Sequence, residues 1–208
     1  MNDMTMGRNG EWTRRRCLGF LAAGAASTWL PARAGGHEHH GVAPDLRRSL
    51  AEYTLPDAPL VRDDGQRVSL ARELNDGRLV MLNFVFTTCT AICPVTSQIF
   101  SETQSRLRGE LDRVHMMSIS IDPENDTPAR LREYARRFGA GPQWQHYTAS
   151  NAASIAVQKA FATYRGDKMN HQPVTLLRRS AGQPWVRLEG FVSPSELAGE
   201  VKTLLGGA

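Results

Sequence analysis

Two cysteines four residues apart are the residues of this sequence best suited to chemistry. Cys89 and Cys93 lie in the segment TTCTAICPVTS, directly after an apolar run that ends at Phe86. Such a pair can staple the fold as a disulfide, exchange disulfides with a partner or bind a metal ion. A staple would close a loop of a few residues and stabilise the fold little. Thiol–disulfide exchange and metal binding are therefore the two functional interpretations.

The elements around the pair predict that it lies at the start of a helix. Residues 79–86 are almost entirely apolar, as expected for a central strand covered on both faces. Helical spacing of apolar residues follows over residues 87–108. Four residues make about one helical turn, so both cysteines should share a face. The N–H groups at a helix N-terminus lower the pKa of a nearby thiol, and Pro94 fits the first turn.

A metal site would need a ligand beyond the two thiols. Two thiolates suit copper(I), and one imidazole would complete a Cys–Cys–His site that also holds copper(II). His171 is the best candidate because it lies just before a predicted strand at residues 174–178, at the end of the sheet that should face the cysteines. His115 and His146 lie in an apolar strand and an aromatic stretch, and we expect both to be structural.

The order of the predicted elements indicates the fold. A hairpin around Asp64-Gly65, a short helix capped by Ser69, the central strand and the helix with the cysteines come first. A second buried strand (VHMMSISID), a helix capped by Asp126 or Thr127, a helix at 152–164, a second hairpin and a last helix with a Ser193–Glu196 capping box follow. This order predicts a mixed α/β sheet with helices on both faces, as in a thioredoxin-like fold, over residues 51–208.

Residues 1–34 have the features of an export signal. Three arginines at 14–16 precede a short apolar stretch, and Ala32-Arg33-Ala34 fits a cleavage site. Thr13-Arg14-Arg15 with Leu18 is similar to a twin-arginine signal. We therefore expect the protein to be exported to the periplasm, a compartment in which disulfides persist. Alternatively, the segment stays uncleaved as a membrane anchor.

The charge of the chain gives no argument for nucleic-acid binding. Residues 1–34 contain five arginines and two acidic residues, which account for three of the four net positive charges. The rest of the chain is nearly neutral, unlike the basic surface that nucleic acid requires. Residues 35–50 are predicted to form a flexible leader, in which His37, His39 and His40 either bind metal loosely or belong to a solvated linker.

Two segments resemble motifs of a known family. FVFTTCTAICPVTS resembles the copper-site motif of the SCO/SenC family, and SISIDPENDTPARLREYA resembles its D-P-x-x-D-T-P segment; the resemblance extends from about Tyr53 to the end of the chain. It implies a thioredoxin-like domain on the outer face of the energy-transducing membrane. The implied activity is copper delivery to the CuA centre of cytochrome c oxidase, or thiol reduction that prepares this centre. Cys89, Cys93 and His171 would be the copper ligands. Asp122 matches an acid beside the site, or else forms a turn before Pro123.

The sequence differs from the family pattern at the histidine. The usual D-H-S reads Asn170-His171-Gln172 here, so an acid that could orient the imidazole is missing, and residues 164–171 are short for the family. Pro173 and the two residues after it resemble the cis-proline–threonine segment of thioredoxin-like oxidoreductases. The leading hypothesis is an exported copper metallochaperone. A thiol–disulfide oxidoreductase is the second, with Cys89 attacking and Cys93 resolving, and peroxide reduction by the cysteines is the third.

Overall fold

The computed structural model describes residues 46–206, in which eight strands form one mixed sheet. The strands are β1 (Arg47–Ala51), β2 (Pro59–Arg62), β3 (Arg67–Ser69), β4 (Leu79–Val85), β5 (Val114–Ser120), β6 (Trp144–Thr148), β7 (Val174–Arg178) and β8 (Trp185–Glu189). Their order across the sheet is β1-β8-β7-β4-β5-β6-β2-β3. The neighbours β4, β5 and β6 run parallel, and every other pair is antiparallel.

Five α-helices in this part of the chain cover the two faces of the sheet. They are α1 (Leu70–Leu74), α2 (Ile92–Arg106), α3 (Pro128–Arg137), α4 (Asn151–Ala160) and α5 (Pro194–Gly206), with short 3-10 helices at Leu111–Arg113 and Lys168–Asn170. The mixed sheet with helices on both faces confirms the predicted thioredoxin-like class.

The central strand β4 contributes to a hydrophobic core on each face of the sheet. Its even-numbered residues, Val80, Leu82 and Phe84, pack into the core that includes α1 and α4. Leu79 and Met81 point the other way, into the core that includes α2 and α5. Burial of each such side chain stabilises the fold by about 1.5–3 kcal/mol. The unbroken apolar run in the sequence is therefore explained by burial on both faces.

The predicted helix starts agree with the structure. Ser69 accepts a hydrogen bond from the backbone N–H of Arg72, and Ser193 and Glu196 form the expected capping box at α5. At α3 the cap is Thr127, which accepts from the N–H of Arg130. Asp126, the other predicted cap, makes different contacts that matter for the cysteines.

Two strands and two helix ends differ from the sequence-based predictions. Strand β6 was not predicted, because its sequence WQHYT mixes aromatic and polar residues. Strand β1 pairs with β8 at an edge of the sheet and includes residues 47–50, which were expected in the flexible leader. Helix α2 begins at Ile92 instead of residue 87, after a loop. Helix α4 ends at Ala160 instead of 164, because Ala162 adopts a positive φ of 53° that ends helical geometry.

The predicted export signal, Cys17 and the histidines at 37, 39 and 40 lie outside the residues that the structure describes. Between residues 46 and 206, none of the helices is both long enough and apolar enough to cross a bilayer.

Candidate metal and redox site

The two cysteines meet at the N-terminus of α2. Cys89 lies in the loop between β4 and α2, where its backbone N–H donates to the carbonyl of Phe86 (3.2 Å). Cys93 lies in the first turn of α2, and its backbone N–H donates to Sγ of Cys89 (N···S 3.4 Å). The sequence placed both cysteines in the helix. In the structure Cys89 precedes the helix, and its sulfur receives the N–H groups at the helix end.

The environments of the two thiols shift their pKa values in opposite directions. Burial opposes ionisation of Cys89, but the N–H groups of Cys93, Ala91 and Ile92 stabilise its thiolate, and the pKa of Cys89 is lowered below that of an ordinary thiol. Cys93 is fully buried, and burial, followed by its contact with Cys89, raises the pKa of Cys93 far above the usual range. Both are free thiols in this structure. One cysteine is thus a partly exposed nucleophile and the other a buried partner.

A buried carboxylate fixes the loop that carries Cys89. Asp126 accepts hydrogen bonds from the backbone N–H of Thr87 (3.1 Å) and from the hydroxyls of Thr87 and Ser120 (both 2.6 Å). These contacts join the end of β4 to the end of β5. Asp126 therefore fixes the start of the loop at residues 87–91, which precedes α2.

His171 is a neutral imidazole with one nitrogen free to bind a metal. Its Nε2 lies 3.1 Å from the carbonyl oxygen of Phe84. A carbonyl can only accept, so Nε2 carries the hydrogen and Nδ1 carries the lone pair. Burial lowers the pKa of His171, so the ring is neutral near pH 7. A neutral imidazole is the form that binds metal.

The predicted ligands lie close together without forming a preassembled cluster. Cys89 and His171 line one cavity of about 60 Å³, and Cys93 lies buried beside Cys89. Among residues 46–206, no three His, Cys, Asp or Glu side chains are arranged to hold a metal ion. The donor set of two thiols and one neutral imidazole fits copper. Binding by all three requires their side chains to move towards each other.

Asp122 holds the segment before His171. Its carboxylate forms an ion pair with Nζ of Lys168 (2.6 Å) and accepts from the side chain of Asn125 (3.0 Å). Its backbone carbonyl accepts from the N–H groups of Asn125 and Asp126, so Asp122 also forms the turn after β5. Asp122 therefore forms the expected turn, and it also lines a groove that includes Lys168 and His171.

Within residues 46–206, the other two histidines lie away from the cysteines. His115 is buried at the start of β5, the opposite end of the parallel strands, where its ring contacts the hydroxyl of Tyr147 (2.9 Å) and the carbonyl of Glu73 (3.1 Å). His146 is buried in β6 between aromatic rings, and burial lowers its pKa to about 3. Both positions agree with the expected structural roles.

Sequence reasoning missed two residues that organise the site. No sequence feature points to a role for Lys168 at the site, because a lysine in a polar loop is ordinary. Asp126 is the second acid of the D-P-x-x-D-T-P segment, which could have indicated its role, but the sequence analysis considers it only as a possible helix cap. Pro173, which lies between His171 and β7, is buried, and its carbonyl accepts from the N–H of Gly190 (2.9 Å).

The fold and the site together define a class of protein. It is a thioredoxin-like domain with one partly exposed and one buried cysteine at the N-terminus of the helix that follows the central strand, and with a histidine that lines the same cavity. The family model described as SCO1/SenC matches residues 51–206, well over half of the chain. The chain belongs to the SCO1/SenC family, which confirms the resemblance found in the sequence.

Three known proteins show the extent of the similarity. The SCO1 protein homolog of Bacillus subtilis (strain 168) is 33% identical over 104 residues, which cover 50% of this chain and 53% of that protein. Arabidopsis thaliana ScoI, a crystal structure with copper bound, is 25% identical with a TM-score of 0.61, covering 73% of this chain and 97% of that one. BsSco, described as having a disulfide switch and as a member of the Sco family of cytochrome c oxidase assembly proteins, is 26% identical with a TM-score of 0.62, covering 75% of this chain and 95% of that one. The chain spans about half the length of the Bacillus subtilis relative.

Replacing Asp126 by asparagine should loosen the loop that carries Cys89. One carboxylate oxygen becomes an amide nitrogen, which cannot accept, so either Thr87 or Ser120 loses its acceptor while the other keeps the remaining oxygen. We expect the free energy of unfolding, measured in urea, to fall by about 1–3 kcal/mol. Alkylation of Cys89 should also show a pH profile closer to that of an ordinary thiol.

The matched control is Glu124→Gln, a change of an exposed carboxylate in the same turn. It should alter the free energy of unfolding by less than about 0.5 kcal/mol. Equal effects of the two substitutions would show that the Asp126 hydrogen bonds do not hold the loop.

Proposed function

We propose that this protein binds copper through Cys89, Cys93 and His171 and delivers it to the CuA centre of a cytochrome c oxidase or a similar enzyme, or prepares that centre. One observation carries the proposal: the Cys89 thiol, held at the N-terminus of α2, shares a small cavity with the neutral imidazole of His171. Membership of the SCO1/SenC family supports it, as do the copper bound to the Arabidopsis thaliana ScoI structure and the assembly role given for the family of BsSco.

The geometry suits copper as a cargo. Thiolates bind copper(I) strongly, and the imidazole adds a ligand that copper(II) also accepts. Cys89 is partly exposed, so the thiol of a partner can reach an ion held there and replace the protein's ligands one at a time. Cys93 is buried beneath it and keeps a second sulfur next to the ion. Release by ligand exchange needs no change in the oxidation state of the metal.

Copper titration of the reduced protein tests the proposal. We expect one equivalent of copper to bind, and copper(II) to give thiolate-to-copper absorption. His37, His39 and His40 are replaced by glutamine in every sample, so that the leader does not contribute. In this background the double variant Cys89→Ser, Cys93→Ser should lose stoichiometric binding, and His171→Ala should weaken the copper(II) complex and change its absorption.

Gln172→Ala is the control for the histidine, because it changes an exposed neighbour of His171. It should bind copper like the parent protein. Copper binding that is unchanged in the double cysteine variant would place the site elsewhere and refute the proposal.

A second function is favoured by the contrast between the two thiols. A lowered pKa makes Cys89 the attacking thiolate, while Cys93 stays protonated and protected next to it. Attack on a partner disulfide would join Cys89 to one partner sulfur and release the other as a thiolate. Cys93 would then attack Cys89, form the Cys89–Cys93 disulfide and release the second partner thiol. The partner gains two electrons, and the cysteine pair loses them.

Trapping of the mixed disulfide tests this thiol–disulfide oxidoreductase. Reduced Cys93→Ser protein, mixed with a peptide disulfide, should accumulate a covalent complex, since no second thiol resolves it. Cys89→Ser should form none, because the buried Cys93 is a poor nucleophile. Cys17 is replaced by serine in both. Equal trapping by the two variants would contradict the assigned roles.

We further propose that the protein is exported to the periplasm. The proposal is supported by the arginines at 14–16, the apolar stretch that follows and the cleavage-like Ala32-Arg33-Ala34. Replacement of Arg14 and Arg15 by lysine should leave the full-length chain in the cytoplasmic fraction, whereas Arg8→Lys should not. Correct export of the double variant would contradict a twin-arginine signal.

A further inference from the structure

Met169 is an exposed thioether at the edge of the site. The residue is 73% exposed, more than any other large apolar residue in the part of the chain that the structure describes. An isolated apolar side chain on a surface is ordinary, so its exposure alone means little. Its position is informative, because Met169 lines the same cavity as Cys89 and His171.

The backbone of Met169 is held in place while its side chain is free to turn. The residue lies in the short helix Lys168–Asn170, and its N–H donates to the side chain of Asp167 (2.9 Å). Lys168 ties the same helix to Asp122. The methionine side chain has three rotatable bonds and a polarizable sulfur. Because the backbone is fixed and the side chain can rotate, the sulfur of Met169 can approach an ion bound at Cys89.

The chemistry of the cavity indicates which ion this sulfur would serve. Copper(I) is soft and prefers thiolate and thioether sulfur, whereas copper(II) favours nitrogen. The residues that line the cavity offer one thiol, one imidazole and this thioether. The imidazole offers its Nδ1, because Nε2 is hydrogen-bonded to the carbonyl of Phe84, and the thioether sulfur is the softer donor of the two.

We propose that Met169 is an additional copper(I) ligand, which binds the ion together with Cys89, Cys93 and His171 and does not bind copper(II). This inference rests on the proposed copper-binding function and extends it. It makes the oxidation state of the metal a determinant of the ligand set. A methionine at the rim also gives a departing copper(I) ion a ligand on the side from which a partner approaches.

Met169→Leu tests the proposal, because leucine is apolar and similar in size but has no sulfur. We expect the copper(I) affinity, measured by competition with a chromogenic copper(I) chelator, to fall at least tenfold. The copper(II) affinity and absorption should stay unchanged. Each tenfold loss of copper(I) affinity alone lowers the reduction potential of the bound copper by 59 mV, which voltammetry can measure.

X-ray absorption provides a direct readout of the ligand. In protein labelled with selenomethionine, the reduced copper complex should show copper–selenium scattering, and Met169→Leu should abolish it. The label also enters the remaining six methionines, so the variant still contains selenium and serves as its own background.

Val95→Ala, which trims an exposed apolar residue of α2 that does not line the cavity, is the control and should leave both measurements unchanged.

The outcomes separate this inference from the function on which it rests. Unchanged copper(I) affinity in Met169→Leu, together with no copper–selenium scattering in the parent, would overturn the role of Met169 and leave copper binding by the cysteines intact. Failure of the parent protein to bind one equivalent of copper(I) would overturn both. A loss of copper(I) affinity with retained copper(II) binding would support both.

Discussion

The hydrogen bonds of the buried Asp126 carboxylate are the constraint on which the site depends. An ionised carboxylate away from water is costly unless donors surround it, and here the N–H and hydroxyl of Thr87 and the hydroxyl of Ser120 do so. These donors come from the ends of two neighbouring parallel strands. The same contacts direct the loop after β4, which puts the sulfur of Cys89 over the N–H groups of α2. Burial opposes ionisation of Cys89 and these N–H groups lower its pKa, and the loop that brings the sulfur to them is held by the ends of two strands.

The topology of the sheet brings the histidine to the cysteines. Because β7 runs antiparallel to β4, the residues before β7 lie at the edge where β4 ends. His171 therefore faces the loop of Cys89, and its ring is fixed by the carbonyl of Phe84 in β4 itself. The ion pair of Asp122 and Lys168 holds the intervening segment. This pair joins the turn after β5 to the histidine segment, while the carbonyl of Phe84, and not a neighbouring acid, orients the imidazole.

The sequence was sufficient for the parts of the structure that burial and capping determine. The run at residues 79–86, a helix cap at residue 126 or 127 and the Ser193–Glu196 box all act through neighbouring residues, so their patterns are readable; the structure decides for Thr127 as the cap. Strand β1 was not predictable, since its RRSLA sequence is stabilised by pairing with β8 at an exposed edge. The pair of Asp122 and Lys168 joins residues 46 positions apart. Such contacts follow from the completed fold, and no local pattern encodes them.

The two proposed activities share one physical requirement, a thiolate at Cys89, so the cysteines alone do not separate them. Disulfide exchange needs nothing more than the attacking and resolving sulfurs. Copper binding needs further donors, and the structure has two of them at the cavity, the imidazole of His171 and the thioether of Met169. Neither side chain has a role in disulfide exchange that its position explains. Donors beyond the cysteine pair therefore favour copper binding as the function for which this cavity is built.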